Sequence, residues 1–113
     1  MKIYHNPRCS KSRQALALLQ ENGAYPEIIE YINSPISIDE LTLLLHMLKI
    51  KPIQLVRKAE QIWKENFKGK ELSDDEIVNA MAEYPKLIER PIVVKNGKAI
   101  IGRPPENVLI LLD

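Results

Sequence analysis

At 113 residues and 13.0 kDa the chain is the size of one ordinary domain. A composition of 45% hydrophobic and 27% charged residues excludes a disordered or collagen-like chain, and no apolar run approaches the ~18 residues of a membrane span. Sixteen basic against fifteen acidic residues demand no polyanionic partner, and the N-terminus shows no apolar leader, so the expected compartment is the cytoplasm.

Residues 2–5 (KIYH) predict a short strand that Asn6-Pro7 stops. From Ser10 to Asn22 the apolar positions Ala15, Leu16, Leu18 and Leu19 repeat at helical spacing, with Asn22-Gly23 as C-cap. Glu27 to Ile32 is a β-like run, so the chain opens as a parallel βαβ unit. Ser37-Ile38-Asp39-Glu40 is a capping box, and behind it Leu41, Leu44, Leu45 and Leu48 form one apolar helix face. Pro52 starts a further helix expected to run toward Phe67, through Ile53, Leu55, Ile62 and Trp63. Lys68-Gly69-Lys70 is a turn. Ser73-Asp74-Asp75-Glu76 is a second capping box, heading a helix with Ile77, Ala80, Met81 and Tyr84 inward and Pro85 at its end.

Pro91 opens Ile92-Val93-Val94-Lys95, and Asn96-Gly97 joins it to Lys98-Ala99-Ile100-Ile101. Two β-rich runs around Asn-Gly predict a hairpin, because both turn residues require positive φ. Glu106 to Leu112 forms a last short helix. The order is β-α-β, then about fifty helical residues, then β-β-α. This predicts an α/β chain of thioredoxin-like fold, a single domain over 1–113 with a helical insertion at about 36–85.

Charge and the one cysteine converge on the same region. Residues 1–20 carry Lys2, Arg8, Lys11 and Arg13 and no acid, while Lys86, Arg90, Lys95, Lys98 and Arg103 outnumber Glu89, Glu106 and Asp113 near the other end. If the two ends meet, they build a positive site for a small anion. Cys9 falls in the turn between the first strand and the first helix. A thiol there meets the free N–H groups and partial positive charge of the helix N-terminus, with His5, Arg8, Lys11 and Arg13 nearby; all favour thiolate. The same N–H groups suit an oxyanion. Cys9 to Ser12 reads C-x-x-S, so no second thiol can resolve a mixed disulfide. A four-ligand zinc site is poorly supplied, with only His5 and His46 to join Cys9. No basic stripe or recognition helix points to nucleic acid.

YHNPRCSKSR and ERPIVVKNGKAIIGRPPE together resemble the ArsC family of arsenate reductases that use glutathione and glutaredoxin, and in particular its short arsenate reductase-like branch. The resemblance implies the same thioredoxin-like fold with a helical insertion, Cys9 as catalytic cysteine, and His5 with Arg13 as groups stabilising its thiolate. It implies an oxyanion site of Arg57, Arg90 and Arg103, and Pro91 as the cis-proline beside the cysteine. The implied reaction reduces arsenate to arsenite through a covalent Cys9 thiol–arsenate adduct. Glutathione serves as co-substrate and glutaredoxin as partner, with no bound cofactor, metal, nucleic acid or membrane, in a monomer. Arg8 and Ser10-Lys11 depart from the family pattern by replacing small neutral residues. Two other readings share Cys9: a monothiol glutathione-dependent oxidoreductase, and a non-enzymatic RNA polymerase-binding regulator like the Spx proteins. The latter commonly carry a C-x-x-C switch that Ser12 removes here.

Overall fold

The computed structural model describes residues 1–112. In chain order its elements are β1 (Lys2–Tyr4), α1 (Ser10–Glu21), β2 (Glu27–Ile29), α2 (Ile38–Leu48), α3 (Pro52–Leu55), α4 (Gln61–Asn66) and α5 (Asp74–Glu83). A 3-10 turn at Pro85–Leu87, β3 (Ile92–Lys95), β4 (Lys98–Ile101) and a 3-10 helix at Pro105–Leu112 complete them. The chain divides into two compact units: a sheet unit of residues 1–34 and 90 onward, and a helical unit, Pro35–Glu89.

In the sheet unit the strand order is β2-β1-β3-β4, with β1 parallel to β2 and the other pairs antiparallel. This is the thioredoxin-like arrangement that a βαβ unit joined to a ββα unit predicts. The β3–β4 turn holds Asn96 and Gly97 at φ of 52° and 76°, the backbone that made Asn-Gly a hairpin signal. Ile3 and Val93 from the sheet, Ala15 and Leu19 from α1, and Val108 and Leu111 from the last helix make the core. Ser12, Ala15 and Leu19 share the buried face of α1, at the spacing of an amphipathic helix.

Three local expectations are corrected. β2 ends at Ile29 because the Glu30 carbonyl accepts from the N–H groups of Asn33 and Ser34, turning the chain and burying Tyr31. The expected helix from Pro52 to Phe67 is two helices. Val56 forms an isolated antiparallel bridge with Ile88, flanked by Arg57 N–H to Leu87 O (2.7 Å) and Glu89 N–H to Leu55 O (2.9 Å), so its backbone is extended. The final helix is 3-10 throughout.

Within the helical unit, α5 packs on α2 and α3, and Leu41, Leu44, Leu55, Ile77 and Met81 are buried there. Ser73 caps α5 reciprocally with Glu76, and Ser37 Oγ accepts the Glu40 N–H at 3.1 Å. Trp63 stacks on Phe67 with ring centroids 5.4 Å apart, and Tyr84 meets Phe67 edge-on at 6.0 Å.

Gly102 ends β4 where three elements meet. A Cβ there would stand 2.8 Å from Pro91 Cγ, 3.0 Å from Val108 Cγ1 and 3.3 Å from Ala15 Cβ. Gly102→Ala is therefore expected to destabilise the fold by about 1–3 kcal/mol through overpacking, read as a lower urea midpoint at unchanged slope. An unchanged midpoint would mean the neighbours give way freely.

Candidate active site

Cys9 lies between β1 and α1 because Asn6 and Pro7 end the strand and the helix starts at Ser10. It is the N-cap of α1, with extended backbone (φ −96°, ψ 122°) and a partly exposed side chain. Asn6 shapes the approach: its carbonyl accepts the Cys9 N–H and its Oδ1 the Arg8 N–H, both at 3.0 Å. Arg13 reaches back from the first turn to donate from Nη1 to the Pro7 carbonyl at 2.9 Å.

The loop is anchored from beneath by Ser12, which is fully buried. Its Oγ accepts the Asn6 N–H at 3.1 Å and lies 2.6 Å from His5 Nδ1. Burial lowers the His5 pKa, and the nearby Arg13 charge adds to this against the opposing pull of Glu30. A neutral imidazole accepting the Ser12 hydroxyl proton at Nδ1 leaves Ser12 Oγ both donating and accepting.

Two arginines reach the sulfur from the other end of the sequence. Arg103 Nη2 donates to Cys9 Sγ at 3.4 Å while its Nε donates to the Arg90 carbonyl at 2.9 Å. One guanidinium thus ties together residues 9, 90 and 103. The Arg90 guanidinium stands close enough to the sulfur to favour its thiolate. Between the arginines the Arg90–Pro91 and Arg103–Pro104 peptide bonds are both cis, and Gly102 N–H donates to Pro91 O at 2.9 Å.

Burial pushes the Cys9 thiol pKa up, but the Ser12 N–H, the Arg90 guanidinium and the Lys11 N–H outweigh it, and the pKa lies below the ordinary thiol value. The first-turn amides act here as dipoles, since none forms a close side-chain cap with Cys9. The site favours the thiolate more than an ordinary cysteine environment does, beside donors suited to an oxyanion.

Of the residues singled out from sequence, Cys9, Arg90, Pro91 and Arg103 are brought together. His5 and Arg13 turn to Ser12 and Pro7 and support the loop that carries the thiol, rather than touching the sulfur. Arg57 belongs to the helical unit, where its Nη1 donates to Glu89 at 2.8 Å and its Nε stands 3.8 Å from Glu60. The sequence alone reads Ser12 only as the residue in place of a second thiol. Its place on the Ala15–Leu19 face was the signal that it points inward. Among the described residues no group of three or more His, Cys, Asp or Glu side chains could hold a metal ion, and no helix is long and apolar enough to cross a membrane.

Ser12→Ala strands the Asn6 N–H and removes the anchor under the loop. Loss of about 1–3 kcal/mol of stability is expected, with slower alkylation of Cys9 at neutral pH. Arg90→Ala removes a charge that favours the thiolate. The alkylation rate rises with pH through the Cys9 pKa, so its midpoint should move upward in this variant. A midpoint identical to wild type would show that Arg90 does not act on the sulfur.

Residues 4–111 match the ArsC family. The chain is 51% identical over 111 residues to the uncharacterized protein YfgD of Escherichia coli (strain K12), covering 96% of this chain and 93% of that one. It is 45% identical over 112 residues to an arsenate reductase of Haemophilus influenzae, covering 97% of each. The solved structure of an arsenate reductase from Vibrio cholerae superposes with a TM-score of 0.93 at 50% identity, over 97% of this chain and 95% of that one.

Proposed function

The chain belongs to the ArsC family, and on that premise we propose that it is an arsenate reductase of the glutathione and glutaredoxin type, with Cys9 as its nucleophile. The observation that carries this reading is the contact of Arg103 with Cys9 Sγ, with Arg90 beside it. A nucleophile whose own counter-charges are planar guanidiniums can accept a tetrahedral oxyanion at the same donors.

The oxyanion binds Arg90, Arg103 and the free N–H groups at the start of α1. The Cys9 thiolate attacks arsenic, forming an S–As bond as one oxygen leaves, protonated, as water. Glutathione displaces a second oxygen as water, and arsenic remains As(V) between two sulfurs. The glutaredoxin thiolate then attacks the glutathione sulfur. The As–S bond to glutathione breaks with its electron pair left on arsenic, which becomes As(III), and glutaredoxin departs as the mixed disulfide. Water replaces Cys9 on arsenic, arsenite leaves and the thiolate returns. The external thiol is obligatory, because Cys9 is the chain's one cysteine. The reaction needs no bound cofactor and runs in a monomer, and its dependence on glutathione suits the reducing cytoplasm.

The family resemblance also gives Arg57 to the oxyanion; an arginine already held by Glu89 would have to share its guanidinium to serve there. The reading stands on Arg90 and Arg103 without it.

In a coupled assay with arsenate, glutathione, glutaredoxin and NADPH-linked recycling, wild type should oxidise NADPH only when arsenate is present, and Cys9→Ser should not turn over. Arg103→Lys is expected to lose about 10²-fold in kcat/KM, since one ammonium cannot hold the Arg90 carbonyl and present a second donor to sulfur and oxyanion. Full activity in Cys9→Ser would end this mechanism. Absence of arsenate-dependent turnover in wild type would move the assignment to a monothiol oxidoreductase.

A further inference from the structure

Most cations of the Cys9 region have a partner or task inside the protein. Arg13 braces the Pro7 carbonyl, while Arg90 and Arg103 serve the sulfur. Arg8 and Lys11 are different. They stand immediately before Cys9 and two residues after it, both are exposed, and among the described residues neither side chain makes a hydrogen bond or ion pair. Arg8 nevertheless has a set place, since its N–H is held by Asn6 Oδ1 and Pro7 precedes it.

These positions run against helix electrostatics. The N-terminal end of a helix favours acids and disfavours cations. α2 complies with Asp39 and Glu40 in its first turn, and α5 with Asp74, Asp75 and Glu76. α1 has no acid there and carries Lys11 and Arg13 instead. The bias extends through the sheet unit, with eight basic against five acidic residues, whereas the helical unit carries eight against ten. Two of the five acids, Glu21 and Glu27, lie at the far ends of α1 and β2, with Glu21 roughly 18 Å from Cys9 along the helix. Glu30 is the acid nearer the thiol end, where it acts on His5.

Unpaired cations that oppose the local dipole, on both sides of a nucleophile already supplied with internal counter-charges, fit a partner that approaches from solvent. We propose that Arg8 and Lys11 select the second thiol of the reaction, recruiting a carboxylate-bearing thiol to the Cys9 adduct and discriminating against a cationic one. The inference rests on the arsenate reductase reading for the identity of the reaction, and it names the residues that choose the thiol.

Disulfides of different charge test it without arsenate. The Cys9 thiolate attacks one sulfur of a disulfide RSSR, forming Cys9–S–SR and releasing RS⁻. Any change in thiolate fraction or nucleophilicity cancels in the ratio of rates for two disulfides on the same protein. Stopped-flow rates with oxidised glutathione (anionic) and cystamine (cationic) give that ratio. It should fall about tenfold from wild type to the R8S/K11S double variant at low salt, and Arg8→Glu should lower it as well. Raising the salt should shrink the wild-type preference toward that of the double variant. A ratio that is the same in wild type and both variants would overturn the proposal. If the ratio shifts as expected while wild type shows no arsenate turnover, the charge selection stands and the arsenate reading falls. Turnover with an unchanged ratio does the opposite.

Discussion

Tyr4 faces Ile92 across the antiparallel ladder of β1 and β3, and the rest of the site depends on that register. β1 ends there and releases the loop that carries Cys9; β3 begins there and leaves Arg90 just outside the sheet. The partner register Ile92–Ile101 on β4 then sets Arg103 at the same edge. A slip of one residue in either ladder would send every strand side chain to the opposite face and break the core of Ile3 and Val93. The burial of those apolar side chains thus holds a guanidinium within hydrogen-bonding reach of a sulfur 94 positions away.

Much of this was legible in the chain. Asn96-Gly97 demanded a hairpin because few other residue pairs take two positive φ angles in succession, and the structure shows that turn. The excess of basic residues near both ends suggested an anion site if those ends met, and the β1–β3 pairing makes them meet. The break between α3 and α4 was not legible, because its cause is the bridge of Val56 to Ile88, a non-local contact that no local pattern announces. The fork of Arg103 between a carbonyl and a sulfur was hidden for the same reason. Sequence resemblance could nominate the arginine, while only the fold could show which atoms it spends on which partner.

The helix N-terminus, the buried Ser12 and the two arginines act on the thiol in different ways. The arginines supply charge and Arg103 a direct donor, the α1 amides supply oriented dipoles, and Ser12 fixes where the loop sits so that both can act. Support of this kind is felt through geometry, which is why a hydroxyl that never touches the sulfur matters for its reactivity.

β2 and β3 both flank β1, and β2 ends at the sheet edge where β3 begins. The strands on either side of one neighbour lie only about 10 Å apart, so the whole segment Pro35–Glu89 behaves, for the sheet, as one long connection between two nearby points. The entropy of closing such a connection grows with the logarithm of its length, about 0.6 kcal/mol for each doubling. In chain entropy alone, a change in the length of that connection costs the β1–β3 ladder only fractions of a kcal/mol.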